Sequence, residues 1–286
     1  MQFVLTICFH LIVSTISDDT REEGVPRIIG GFVCSEQDHR FVVSIRNQKL
    51  DHVCGGTLLN EFWVLTAAHC IRMNPTVHAG LNYLTGFKQY IAARVVDMYP
   101  HPQYNKKTMD NDIALFRLES PLAVDDYFIQ YVKLPRKMNT ESEDIYEQQQ
   151  KCLVMGWGVT DIMIQEVSFT LQCLFLPLIK NDKCSQLYKN FTITKNMICT
   201  FSEDEEDACQ GDSGGPLICE DKQIGIISWG VDCAGDYPGV YTKIDRYLDF
   251  IEKTMKHYQR AKSTAMTLST SDSSFLFVST LILSNI

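Results

Sequence analysis

Gly211-Asp212-Ser213-Gly214-Gly215-Pro216 sets one serine in a run of glycines closed by a proline. Two other short motifs precede it along the chain: Thr66-Ala67-Ala68-His69-Cys70 and Asp110-Asn111-Asp112-Ile113-Ala114-Leu115. Each alone has an ordinary structural explanation. A histidine beside a cysteine in an apolar stretch usually packs in a core. An aspartate before an apolar strand usually ends a turn, and a serine among glycines usually belongs to a loop. Together they supply a nucleophile that is weak at neutral pH, a base able to take its proton and a carboxylate able to orient that base.

Around these motifs the apolar signal is short and strand-like. FVVSI, FWVLT, IAARVV, DIALFRL, CLVMG, PLIC and IGIISW are rich in β-branched and aromatic residues and are separated by Gly, Pro, Asn and Asp clusters that read as turns. Helical spacing appears only near the end, where Tyr247, Leu248, Ile251 and Met255 follow Asp245 as an N-cap. Many short strands closed by one helix point to β-barrels or a sandwich, and the pattern does not choose between them. No internal repeat stands out, and the polar run Met138–Gln150 reads as an exposed connector.

The chain has 286 residues, 45% hydrophobic and 21% charged, with 11 cysteines and a formal net charge of -9. That length allows one large β-rich domain or two small ones, and the apolar fraction excludes a mostly disordered chain. The acidic balance excludes nucleic acid as a partner, since phosphate binding needs a concentrated Lys/Arg surface. No apolar run approaches the ~20 residues that span a bilayer as a helix. The cysteine count points to an oxidising compartment. The apolar stretch from Phe3 to Ile16, with small residues after it, reads as a signal peptide over residues 1–17. Removing it takes Cys8 away and leaves ten cysteines, an even number that implies disulfides in an exported chain. Residues 260–286 form a Ser/Thr-rich extension ending in an apolar tail from Phe275. Small residues at Ser263, Thr264 and Ala265, then a polar spacer and that tail, have the layout of a glycolipid-anchor signal. The same stretch also reads as a disordered polar tail, and a lipid anchor is the one membrane link the sequence offers.

Taken in the order His, Asp, Ser, the three motifs resemble those of the chymotrypsin-like serine peptidases, and within them the trypsins. The resemblance covers residues 28–259. It implies an all-β fold of two six-stranded antiparallel β-barrels with a C-terminal α-helix and an active site in the cleft between them, which supersedes the undecided sandwich. It implies that Ser213 attacks, that His69 takes and returns the proton, and that Asp112 fixes the imidazole tautomer. The backbone N–H groups of Gly211 and Ser213 are then the oxyanion donors, and glycine at 211 lets the backbone turn its N–H inward. Arg27 before Ile28-Ile29-Gly30-Gly31 looks like the family's activation sequence, which makes residues 18–27 a propeptide. Cleavage after Arg27 frees the Ile28 ammonium, which in the family inserts beside the carboxylate matched by Asp212. His52 matches a position that can hold this aspartate in the uncut form. Val25-Pro26-Arg27 suits an activating trypsin-like protease, another copy of this chain included.

The resemblance also places Asp207 at the base of the primary pocket, Gly230 and Gly239 on its walls, and Ser228-Trp229-Gly230 as the segment that pairs with substrate backbone. A buried carboxylate there rewards a cationic side chain, so the expected substrates are proteins or peptides with Arg or Lys at the cleaved bond. Ala208 stands where many trypsins have serine. Without that hydroxyl a lysine ammonium loses an acceptor, while an arginine fork still reaches Asp207, so Arg is preferred. Asp232 departs from the glycine common at the pocket entrance, and the acidic run Glu203–Asp207 reads first as a solvated loop.

The disulfides implied are Cys34–Cys173, Cys54–Cys70, Cys152–Cys219, Cys184–Cys199 and Cys209–Cys233. Digestive trypsins carry a calcium loop with paired glutamates. The matching stretch Gly80–Gly86 has no carboxylate, so no metal site is expected, and nothing argues for a cofactor. Asn190-Phe191-Thr192 is the one glycosylation acceptor. Protein protease inhibitors are expected partners, and the expected location is extracellular, diffusible or held at the cell surface. The reading from another class is a non-catalytic binding protein on the same fold. Such relatives usually lose a member of the triad, and this chain keeps all three.

Overall fold

The computed structural model describes residues 30–85, 90–125, 127–137, 150–160, 166–204, 206–233 and 235–258. The signal peptide, the propeptide with Arg27 and Ile28, the connector 138–149 and the C-terminal extension lie outside them.

Two closed barrels account for nearly all the strands. In the first, β2 (Val42–Arg46), β3 (His52–Asn60), β4 (Trp63–Thr66), β5 (Thr76–Ala79), β6 (Ile91–Pro100) and β7 (Ala114–Leu118) close in the order β2-β3-β4-β7-β6-β5. In the second, β8 (Lys151–Gly156), β9 (Gln172–Ile179), β10 (Met197–Thr200), β11 (Pro216–Cys219), β12 (Lys222–Trp229) and β13 (Gly239–Lys243) run β8-β9-β10-β13-β12-β11 and return to β8. Strand β1 (Phe32–Val33) adds to β9 outside the ring. Every pairing is antiparallel, so each barrel can be built from short connections, and closure leaves few free edges. The sandwich left open by the strand pattern is therefore excluded.

The first barrel is filled by Val43, Ile45, Leu58, Val64, Leu65 and Phe116, all fully buried. The chain crosses back after β13 through a 3-10 turn (Ile244–Tyr247) into α2 (248–258). Ile244, Tyr247 and Ile251 pack into the core of the first barrel, so the terminal helix fastens one barrel to the other. Asp245 is not the N-cap of this helix. It lies inside the 3-10 turn, which begins after Lys243, and the α-helical part starts only at 248. A second helix, α1 (Asn181–Leu187), has seven residues, too few for a periodic apolar face to show in the sequence. No helix among the described residues is long and apolar enough to cross a membrane.

All five expected disulfides are present: Cys34–Cys173, Cys54–Cys70, Cys152–Cys219, Cys184–Cys199 and Cys209–Cys233. The first closes a span of 139 residues, and long closures remove the most entropy from the unfolded chain, roughly 2–4 kcal/mol each.

Candidate active site

The three motif residues come from three places along the chain: His69 and Asp112 touch directly, and Cys70 Sγ lies 3.8 Å from His69 Nε2 and 3.6 Å from the Ser213 carbonyl oxygen. His69 sits in a one-turn 3-10 helix (Ala68–Cys70) directly after β4, and Asp112 lies just before β7, the strand paired with β4. This pairing is why residues 43 positions apart touch. The Asp112 carboxylate is fully buried and receives three donors. Its Oδ1 accepts the backbone N–H of His69 at 2.9 Å, and its Oδ2 accepts the ring Nδ1–H at 2.6 Å and the Ser228 hydroxyl at 2.6 Å. With Nδ1 donating, the neutral ring carries its lone pair on Nε2. The Thr242 hydroxyl also donates to the Asp112 carbonyl at 2.8 Å, which ties the second barrel to this residue.

Ser213 is held from both sides. Its carbonyl accepts the N–H of Gly55 on β3 at 2.8 Å, and Gly214 N–H donates to Ile227 O on β12 at 2.8 Å. Gly214 has φ +81°, and a Cβ there would lie 2.2 Å from Thr66 Oγ1. Gly211 has φ +100°, and a Cβ there would lie 3.0 Å from the Gly158 backbone. Both positions demand glycine for conformation and for space.

A cavity of about 550 Å³ opens beside Ser213. Asp207, Ala208, Ser228, Trp229, Gly230 and Gly239, the pocket residues expected from sequence, all line it together with Ser213. The two glycines serve different purposes. A Cβ on Gly230 would meet nothing within 4 Å, whereas one on Gly239 would lie 2.9 Å from Asp207 Oδ1. Asp207 itself is buried, and its Oδ1 accepts the N–H of Ala208 at 2.8 Å. Asp232 stands exposed on the rim, and the Cys209–Cys233 bridge joins two walls.

The family model described as Trypsin matches residues 28–251. The chain belongs to the trypsin family of serine peptidases. It is 37% identical over 257 residues to "Trypsin V-B" of Rattus norvegicus, covering 88% of this chain and 99% of that one. It is 38% identical over 235 residues to "Trypsin" of Sus scrofa, covering 80% and 96%. Among solved structures, the chain is similar to neuropsin, a serine protease expressed in the limbic system of mouse brain. The TM-score is 0.71 at 34% identity, covering 79% of this chain and 98% of that one.

Several contacts of this trypsin-family site are not visible in the motifs. Tyr241, on β13, lines the cavity and shares a hydrogen bond with Thr200 at 3.0 Å; as sequence it is one more strand residue. Ser228 lines the cavity as expected, and its hydroxyl also donates to Asp112. Asp212 is fully buried in a cradle of glycines: a Cβ on Gly156 or Gly158 would lie 2.1 or 2.3 Å from its carboxylate oxygens. It accepts N–H groups from Gly158 at 2.7 Å and Cys209 at 2.9 Å. Burial nonetheless pushes its pKa up to about 6, and those two hydrogen bonds only partly offset it. His52 does not touch the Asp212 carboxylate; its Nε2 lies 2.9 Å from Gly211 O. Cys54, His69 and Cys70 approach one another as metal ligands do, but the two sulfurs are bonded to each other and neither is a thiolate.

Proposed function

We propose that this chain is an extracellular endopeptidase, made as an inactive precursor, that cuts after Arg in preference to Lys through an acyl-enzyme. The observation that carries the reading is the His69–Asp112 pair, linked through Cys70 Sγ to the Ser213 backbone, with Ser213 lining a cavity that contains a buried Asp207. In the first step His69 Nε2 takes the Ser213 hydroxyl proton as Oγ attacks the substrate carbonyl. The oxyanion that forms is held by the N–H groups of Gly211 and Ser213, each such donor typically worth roughly 3–4 kcal/mol in the barrier. His69 then protonates the leaving amine, and water repeats the sequence on the acyl-serine.

Substrate choice follows from the cavity. An arginine fork bonds Asp207 with two N–H groups, while lysine would need a nearby hydroxyl that Ala208 lacks. The expected ratio of kcat/KM for matched Arg and Lys peptides is about ten. Equal ratios would remove Ala208 from the explanation. Asn190, exposed in the turn that carries Phe191 against Trp229, is the proposed glycan site. Residues 260–286 are proposed to end in a lipid-anchor signal, which release from cells by a glycolipid-specific phospholipase would test.

Activation rests on Asp212. In the uncut chain its folded pKa, about 6, lies above the ordinary carboxyl value of 3.8. For an acid with a raised pKa, the folded form binds more protons than the unfolded one between those values. Stability is therefore full below about pH 4 and falls as pH rises through about 6, by about 3 kcal/mol at most. Cutting after Arg27 supplies the Ile28 ammonium, which favours the charged carboxylate and removes that loss. His52 and His78, both lowered to about 4 by burial, act in the opposite sense and are common to both forms. The difference in unfolding free energy between cut and uncut Ser213→Ala protein should thus widen from pH 4 to pH 7. A difference that stays constant across that range would sever Asp212 from activation.

A further inference from the structure

Arg46 is buried on β2 of the first barrel, with no substrate-facing role. Its Nε–H donates to Ser44 Oγ at 3.2 Å, and Ser44 Oγ lies 2.8 Å from His52 Nδ1. His52 Nε2 in turn lies 2.9 Å from the carbonyl of Gly211. The direction of every proton in this chain is fixed by its ends. A guanidinium only donates and a carbonyl only accepts. His52 Nε2 must therefore carry hydrogen, its Nδ1 in the neutral ring must accept, and the Ser44 hydroxyl must donate to it while receiving from Arg46. Burial, with a smaller effect of the Arg46 charge, keeps the His52 pKa near 4, so the ring is neutral at working pH. That ring packs edge-to-face with Trp157, their centroids 5.7 Å apart.

The other two nitrogens of the fork reach a different place. Nη2 donates to Leu84 O at 2.7 Å and Nη1 to Leu50 O at 3.5 Å, while Leu84 N–H donates to Phe169 O at 2.9 Å. Two residues before Phe169, Val167 Cγ1 lies 3.3 Å from where a Cβ on Gly211 would stand. Both ends of the guanidinium thus lead to Gly211, one through hydrogen bonds to its carbonyl and one through the surface loops packed behind it.

We propose that Arg46 is a positioning residue for the oxyanion loop: its Nε–H polarises the Ser44–His52 chain, which pins the Gly211 carbonyl and so aims the Gly211 N–H. The proposal rests on the chain being an active peptidase of the kind described above. A purely structural arginine would change how much protein folds. A positioning arginine changes how fast each correctly folded site turns over.

The test uses the full mature domain, cut after Arg27, with active sites counted by burst titration. Arg46→Met keeps the volume and removes the donors. It is expected to lower kcat per titrated site about tenfold with KM within twofold, because the misplacement acts on the oxyanion donor and not on the Asp207 pocket. Ser44→Ala breaks the same chain without touching Leu84 or Leu50, and should show the same loss even if Arg46→Met folds poorly. Arg46→Lys keeps one donor for Ser44, so it should recover kcat while thermal stability stays reduced. Wild-type kcat per titrated site in Arg46→Met or in Ser44→Ala overturns the proposal. Independently of activity, ¹⁵N shifts in the Ser213→Ala protein should show His52 as the Nε2–H tautomer, and an Nδ1–H ring overturns it. A parent protein that is cut and folded but titrates no sites contradicts the peptidase reading instead, while the tautomer still tests the chain.

Discussion

Asp112→Asn is expected to lower kcat on an arginyl peptide by about 10⁴-fold while leaving KM nearly unchanged. The size follows from what surrounds the carboxylate. It faces three donors, the His69 backbone N–H, the His69 Nδ1–H and the Ser228 hydroxyl, and is fully buried. Asparagine offers one oxygen and one NH₂. With its oxygen kept on the backbone N–H, its NH₂ confronts Nδ1–H, and the ring relieves the clash by moving its proton to Nε2. That tautomer has no lone pair toward Ser213 and cannot act as the base. Flipping the amide only moves the conflict to the backbone N–H. The Asp207 cavity is untouched, so substrate binding persists. A variant that retains more than a tenth of wild-type kcat would remove Asp112 from the orienting role.

Ser213→Ala should have the larger effect, about 10⁶-fold in kcat, since the nucleophile itself is gone. The fold should survive. Ser213 contributes its carbonyl to Gly55, and its N–H is the proposed oxyanion donor; alanine keeps both backbone groups. The Asp207 pocket should still bind an arginine-mimicking inhibitor with affinity within a fewfold of the parent. Loss of both turnover and binding would point to a collapsed cleft and not to a missing nucleophile. Residual turnover well above the variant's expected level would show that another group attacks.

How legible this molecule is in its sequence varies with the kind of interaction. Strands rich in β-branched or aromatic residues, such as VVSI in β2 and IGIISW in β12, announce themselves because burial on a barrel wall selects those side chains. Strand β3 does not. Its sequence, HVCGGTLLN, has two glycines at its middle, because a Cβ on Gly55 would sit 3.1 Å from the Gly215 backbone and one on Gly56 would sit 2.9 Å from Val64. Gly55 makes room for the serine loop and Gly56 for the neighbouring strand β4 and the barrel core, tertiary requirements invisible to local propensity. Strand β9 carries Pro177 and reads as interrupted for the same reason of context. The choice of barrels over a sandwich also depends on which strands close the ring, which only long-range pairing decides.

At the site, His69, Asp112 and Ser213 stand out because they lie in short motifs whose residue types are unusual together. Their supporting groups do not. Ser228 and Thr242 donate to Asp112 from positions 116 and 130 residues away; the sequence points to Ser228 only as part of a pocket segment and not at all to Thr242. Arg46 reads as the polar end of a strand, and nothing near it predicts that its fork is buried. Hydrogen bonds of this sort depend on three-dimensional closure, so a linear reading singles out the motif residues and misses the groups that bond to them.

The account is tested most directly by the protein cut after Arg27, shown by N-terminal sequencing to begin at Ile28, assayed beside the uncut chain on matched peptides ending in Arg, Lys or Phe. The expected result is turnover of the Arg peptide, about tenfold slower turnover of the Lys peptide, none of the Phe peptide, and near silence from the uncut chain. A correctly cut, folded protein that is inert on all three peptides, or one that favours Phe, would contradict it.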